Sequence, residues 1–353
     1  MNPGYALVSP YGIPASLRAR KVANIGDGFI VRAIERLLAP RVATLRCSPR
    51  MTPAAAMLAR LQQAGDVVLA GANQLDDGYR IWPGMTAEQV QRACWRFVIF
   101  GLGLNGDPAR NQQMSEATCA IIEAIHQRIE LSSWRCPATV RYLQRELPHL
   151  ADRFVMTGCP VLLDTPVLDG ARFSSAERVV AVTATERGDY WQRETAIIDC
   201  VARRFPRARR YFVVHQDFAA LPVIGRWHDR LRGRHSIGDS AGALALRGYA
   251  QSRGYQVLVP DNADVAAVLY EAVDVHVGSR LHAHLLMLSR NRRSWLVPVD
   301  QRGHGMAEAF AFPLVTADAP EPDWDFDFEP LRQHVRVAWS EMQRFLRSWS
   351  ASG

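Results

Sequence analysis

Lysine is almost missing from this 353-residue chain: Lys21 is the only one among 42 lysines and arginines. The net charge of +7 is therefore an arginine charge. A composition so one-sided reflects coding bias, so each arginine needs a positional argument before it counts as functional. The six cysteines are scattered, with no CxxC or CxxxC pair. That spacing argues against a metal site or disulfide framework and reads as reduced thiols of a cytoplasmic protein. No apolar run approaches the ~18 residues of a membrane span. The opening MNPGYALVSP lacks the basic and apolar regions of a signal peptide. GLGLNG, residues 101–106, is not a GxGxxG after a strand with an acid ~20 residues on, which excludes a dinucleotide site. Arginines cluster from Arg203 to Arg234 without a zinc-finger, RRM or KH pattern, so they read as a solvated face and not a nucleic-acid surface.

What is present is a rhythm of buried strand, loop and helix. DVVLAGANQL (66–75) and WRFVIFGLGLNG (95–106) are buried strands running into glycine loops, and NIGDGFIVRAIERLLA is a loop followed by an amphipathic helix. RFVMTGCPVLLD (153–164) is a strand with a turn in it. The chain then turns polar and irregular over residues 164–175, and the rhythm restarts at Arg178. Apolar strands alternating with helices indicate parallel sheets covered on both faces. The expectation is two Rossmann-like α/β domains facing across a cleft, residues 1–168 and 175–353, with a last helix near 331–349 returning toward the first domain.

In such sheets ligands collect at the carboxyl ends of strands, where helix N-termini present free N–H groups. DVHVGSRLHAH (274–284) sits at such a place. Ser279 is expected as the N-cap, with Arg280 at the first and His282 at the third helical position. A basic residue in the first turn opposes the helix dipole unless an anion is held between them. His284, one turn on, and His276, inside the strand, read as structural. In the first half, Asn24, Gly26 and Asp27 precede a helix. They fit a capped turn equally with acceptor binding, Asp27 being the candidate base. Asn73 and Gln74 are candidate hydroxyl-binding amides.

NIGDGFIVRAIERLL, DVVLAGANQL, VIFGLG, TGCPVLL and DVHVGSRLHAH, in this order over residues 20–310, resemble the polysaccharide pyruvyl transferase family. The resemblance implies a fold similar to GT-B glycosyltransferases and transfer of pyruvate from phosphoenolpyruvate to sugar hydroxyls as a ketal. It implies no bound cofactor. It places donor binding on Arg280 and Arg187, with Ser279 beside them, and the general acid on His282. Asn24, Asn73 and Gln74 fall on the acceptor side with Asp27. The chain departs from the family pattern at WRCP (134–137), where an acid is missing, and at VPVDQRGHG, where Arg302 and His304 stand in place of a lysine. The implied partners are a small anionic donor and a saccharide acceptor, with peripheral membrane contact if that acceptor is lipid-linked. Two other readings stay open: a GT-B-like glycosyltransferase using a nucleotide sugar, and a non-catalytic binding protein on the same fold.

Overall fold

The computed structural model describes residues 4–11, 24–105, 113–185, 188–217 and 240–351. Arg187 and the part of the arginine cluster from Arg226 to Arg234 lie outside them.

The first half opens with β1 (Tyr5–Val8), α1 (Ile25–Leu37), β2 (Ala43–Cys47) and α2 (Ala55–Ala64). It continues through β3 (Asp66–Ala70), β4 (Asn73–Leu75), α3 (Ala87–Arg92) and β5 (Arg96–Leu104). Then come α4 (Glu116–His126), β6 (Ser132–Trp134), α5 (Pro137–Glu146) and β7 (Phe154–Met156). The strands form one parallel sheet in the order β2-β1-β3-β5-β6-β7, with β4 attached to β5. The apolar runs read from sequence are its central strands: β3 is buried at every position and β5 at all but Arg96. Helices are opened by short polar caps, Asn24 for α1 and Ser115 for α4, each satisfying first-turn N–H groups.

A short helix, α6 (Thr165–Leu168), precedes the second sheet. Its elements are β8 (Val179–Thr183), α7 (Trp191–Arg204), β9 (Arg209–Val213), α8 (Ser240–Ser252) and β10 (Gln256–Leu258). They are followed by α9 (Ala263–Glu271), β11 (Val275–Gly278), α10 (Leu281–Ser289), β12 (Arg293–Leu296) and α11 (Gln301–Phe310). This sheet is also parallel, in the order β10-β9-β8-β11-β12. The last helix, α12 (Leu331–Ala351), returns to the first sheet. There Phe345 packs edge-on against Phe100, 5.3 Å between ring centroids, and Trp349 Nε1 donates to Asp66 at 3.0 Å. Asp66 also accepts from Arg41 (2.7 Å) and Arg96 (2.8 Å).

The fold is thus α/β, with two Rossmann-like sheets facing a cleft in the GT-B-like manner and a C-terminal helix. Two chain segments join the sheets. They are stitched side by side by Glu329, which accepts from the Phe173 amide (2.9 Å) and from Arg332 (2.9 Å). Across the cleft, α1 carries the contact. Ile25 N donates to His215 O at 3.0 Å, Phe29 meets His215 and Tyr270 edge-on, and Arg32 pairs with Asp264. Among the described residues no helix is long and apolar enough to cross a membrane.

Candidate functional site

Three helices aim their N-termini at one cleft. Its walls carry Asn24 and Gly26 from α1, Ser279 to His282 from the start of α10, and Asp300, Arg302 and Gly303 from the start of α11. Thr185, His215 and Gln216, beyond the ends of β8 and β9, close the rest together with Leu296, Pro298 and Val299 at and beyond the end of β12. The enclosed volume is about 200 Å³. Each helix start carries roughly half a positive charge, so before any side chain is counted the cleft attracts anions.

The cap of α10 differs from the expectation. The helix begins at Leu281, Arg280 is its extended N-cap residue and makes no side-chain cap bond, and His282 is the second helical residue. Ser279 is not the cap, because its own amide is engaged by the Thr183 carbonyl (3.0 Å), which keeps the chain on the sheet for one residue more. Gly278 is required at this point, since a Cβ there would collide with the Thr183 backbone. The Arg280 side chain folds over the end of β8, with Nε donating to Ala184 O (2.8 Å) and Nη2 to Thr185 O (3.3 Å). Thr185 is fixed in turn by buried Glu194, which accepts from its amide and its hydroxyl. Burial pushes the Glu194 carboxyl up.

His282 is 6 % exposed, and its Nε2 is buried with no hydrogen-bond partner. Burial, then the charges of Arg135 and Arg302, push its pKa down to about 3, while Asp300 pulls the other way. The imidazole is therefore neutral. Facing it is Gly26, whose ideal Cβ position lies 2.6 Å from His282 Nδ1. Only a residue without a side chain lets α1 come this close. Asp27 follows, and burial raises its carboxyl pKa against the opposing pull of Arg302, an Asn24 side-chain hydrogen bond, Arg50 and Arg135. A carboxyl raised in this way is a better proton acceptor than an ordinary surface aspartate.

Of the residues expected from sequence, Asn24, Ser279, Arg280 and His282 meet around the cleft, and Asp27 lies within the same set of charges. Asn24 also caps α1, accepting from Gly26 N at 3.1 Å. Asn73 and Gln74 are not on the cleft wall. The Asn73 carbonyl oxygen accepts from Arg135, and Gln74 Nε2 turns back to Ala70 O (3.2 Å). His276 and His284 are fully buried as expected.

Sequence reasoning missed Arg135. It is 1 % exposed, and its Nε and Nη1 are buried without partners. Its charge reaches Asp27, His282 and Asp300. A buried guanidinium with no carboxylate on it is costly, and here Nη2 alone is satisfied, by Asn73. The signal was glycine-rich GLGL, residues 101–104. A side chain at Gly103 would overlap the Arg135 guanidinium. Arg302 reaches the cleft and is held by two Asp300 oxygens at 2.8 Å. No group of His, Cys, Asp and Glu side chains among the described residues has metal-site geometry.

No protein-family model matches the chain, and no curated protein matches it. Among solved structures it is similar to the UDP-GlcNAc 2-epimerase of Methanocaldococcus jannaschii, at 10% identity over 95% of this chain and 92% of that one, with a TM-score of 0.44. The Neisseria meningitidis UDP-GlcNAc 2-epimerase gives 9% identity over 98% and 93%, with a TM-score of 0.44. The wall teichoic acid polymerase TagF gives 10% over 100% and 84%, with a TM-score of 0.38. The chain spans about half the length (50%) of a matching chain from the Streptococcus pneumoniae accessory secretory protein complex, whose TM-score is 0.40.

Proposed function

We propose that the chain is a transferase of the polysaccharide pyruvyl transferase type, moving pyruvate from phosphoenolpyruvate to hydroxyls of a saccharide acceptor. The observation that carries this reading is the convergence of three helix N-termini with Arg280 and Arg302 on a cleft of about 200 Å³ around a neutral histidine. The volume suits a three-carbon dianion and lies below the ~300–1,000 Å³ of pockets for larger ligands. Guanidinium groups match carboxylate and phosphate oxygens bidentately.

In the proposed mechanism the bound dianion raises the His282 pKa and the imidazole takes up a proton. His282 delivers that proton to C3 of the enol as an acceptor hydroxyl oxygen bonds to C2, and Asp27 takes the hydroxyl proton. A second hydroxyl of the same acceptor then bonds to C2 and gives its proton to the now neutral His282, the C2–O bond to phosphate breaks, and phosphate leaves with the electron pair. Two hydroxyls and one phosphoenolpyruvate give one cyclic ketal and one phosphate. Arg280 and Arg302 hold the donor throughout.

The test is a thermal-shift comparison of phosphoenolpyruvate with nucleotide sugars, followed by phosphate release over a panel of saccharide acceptors. A shift with phosphoenolpyruvate at millimolar concentration is expected. A shift with a nucleotide sugar alone would favour a glycosyltransferase. With a productive acceptor, His282→Ala is expected to lower turnover by roughly 10² to 10⁴ and His284→Ala to act on stability instead. The reverse pattern would sink the assignment of the acid.

A further inference from the structure

Behind Arg280 lies a chain of buried polar side chains that no step of the proposed mechanism uses. The Arg280 amide donates to Thr183 Oγ1 at 3.3 Å. Thr183 Oγ1 meets His276 Nε2 at 2.8 Å. His276 Nδ1 meets Ser294 Oγ at 2.8 Å, and Ser294 Oγ meets His284 Nδ1 at 2.8 Å. The strands dictate this order. His276 on β11 is opposite Ser294 on β12, and Thr183 on β8 is opposite Gly278, two residues along β11 and so on the same face as His276. That face is covered by α10, which supplies His284. His276, His284 and Ser294 are 0 % exposed, so the chain is shut off from bulk solvent.

Five hydrogens serve four bonds, so one is left over in any arrangement, and its surroundings decide between them. Each neutral imidazole has one N–H and one acceptor nitrogen, and each hydroxyl donates once. If Thr183 donates to His276 Nε2, then His276 Nδ1–H donates to Ser294, and Ser294 donates to His284 Nδ1. Every bond is made, and only the His284 Nε2–H lacks an acceptor. That nitrogen has no hydrogen-bond partner, and the ring stacks edge-on to Phe312 with centroids 4.4 Å apart. In the opposite arrangement Thr183 would receive two N–H groups and its own hydrogen would be the one left over, and if both rings donated to Ser294 the serine hydrogen would be; the first arrangement instead leaves its spare N–H on the ring that packs against Phe312. Burial holds both imidazoles in the neutral form.

We infer that Thr183, His276, Ser294 and His284 form a one-directional hydrogen-bond chain that positions Arg280 for anion binding by keeping a Thr183 lone pair turned toward its amide. Their role as positioning residues for a donor rests on the proposed function. The direction of the chain does not. Long-range 1H–15N correlation of histidine-labelled protein should show His276 protonated on Nδ1 and His284 on Nε2. The opposite tautomer on either ring would overturn the inference. Ser294→Ala breaks the chain at its middle and should return both rings to a mixture of tautomers, and unchanged spectra would count against it. Thr183→Val should speed hydrogen exchange at the Arg280 amide and weaken phosphoenolpyruvate binding by about tenfold, the scale of one lost hydrogen bond. Thr183→Ser, which keeps the hydroxyl, should restore both. Valine behaving like wild type would show that only the shape at residue 183 matters, and serine failing like valine would show that the hydroxyl alone does not carry the effect; either would overturn the inference. If wild-type protein does not bind phosphoenolpyruvate, the proposed function fails while the tautomers and amide exchange still decide this inference.

Discussion

Replacing Gly26 with alanine puts the closeness of α1 and α10 to a direct test. An alanine Cβ would stand 2.6 Å from His282 Nδ1 and 3.2 Å from its Cβ, where unstrained contacts need ~3.5 Å or more. His282 is buried, so it cannot swing into solvent without opening the cleft. Overpacking of this kind costs about 1–3 kcal/mol. Against it, alanine gains up to ~1 kcal/mol over glycine in a helix, less in the first turn. With a first-turn gain of about 0.5 kcal/mol, Gly26→Ala should therefore destabilise the protein by about 0.5–2.5 kcal/mol. In a His282→Ala background the 2.6 Å clash is gone and only the 3.2 Å contact with the remaining Cβ is left, so the same substitution should be close to neutral. The coupling between the two sites is then about 0.5–2.5 kcal/mol. Urea unfolding of the four proteins measures it. If Gly26→Ala has the same effect in both backgrounds, helix α1 does not approach His282 as described.

Three further outcomes follow from the electrostatics. Arg280→Ala should weaken phosphoenolpyruvate binding by about 2–4 kcal/mol, the scale of losing one partner of a desolvated charge pair. Arg280→Lys should restore only part of it, as calorimetric titration would show, because an ammonium cannot reach two carbonyls and an anion at once. Burial alone would raise the Asp66 pKa, but hydrogen bonds from Arg96, Arg41 and Trp349 hold it below the ordinary value. Its stabilisation is therefore present above pH ~4 and is lost as pH falls through the depressed folded pKa. Asp66→Asn should cost about 3–5 kcal/mol at pH 7 and little near pH 2, and an equal loss at both pH values would count against the ion-pair account. Asp27 has the opposite sign, because its raised folded pKa means stability declines as pH rises through that value. Asp27→Asn should thus be at least as resistant to urea as wild type at pH 7, with no advantage near pH 3, while losing turnover. A less stable variant at pH 7 would show that the charged form is structural.

Much of the fold was legible because buried parallel strands are continuous apolar runs: Asp66–Ala70 and Arg96–Leu104 stand out without any pairing information. The SRLH element was legible because a basic residue at a helix start is electrostatically odd. Its register was not. The cap falls on Arg280 because the Ser279 amide is taken by the Thr183 carbonyl, a residue 96 positions earlier. Asn73 read as a free amide for the same reason, since its partner Arg135 comes from another strand end. Arg135 itself was hidden by composition. In a chain whose basic charge is nearly all arginine, one more arginine carries no signal until its burial is known.

The paired connections between the sheets have a mechanical consequence. Phe173 on the outgoing segment stacks near Phe328 on the returning one, with centroids 5.4 Å apart. Arg332 lies over the Phe173 ring and donates to Val167 O at 3.1 Å. Two straps fastened together hold the halves at two points instead of one, so the facing of Gly26 and His282 does not hang on a single connection.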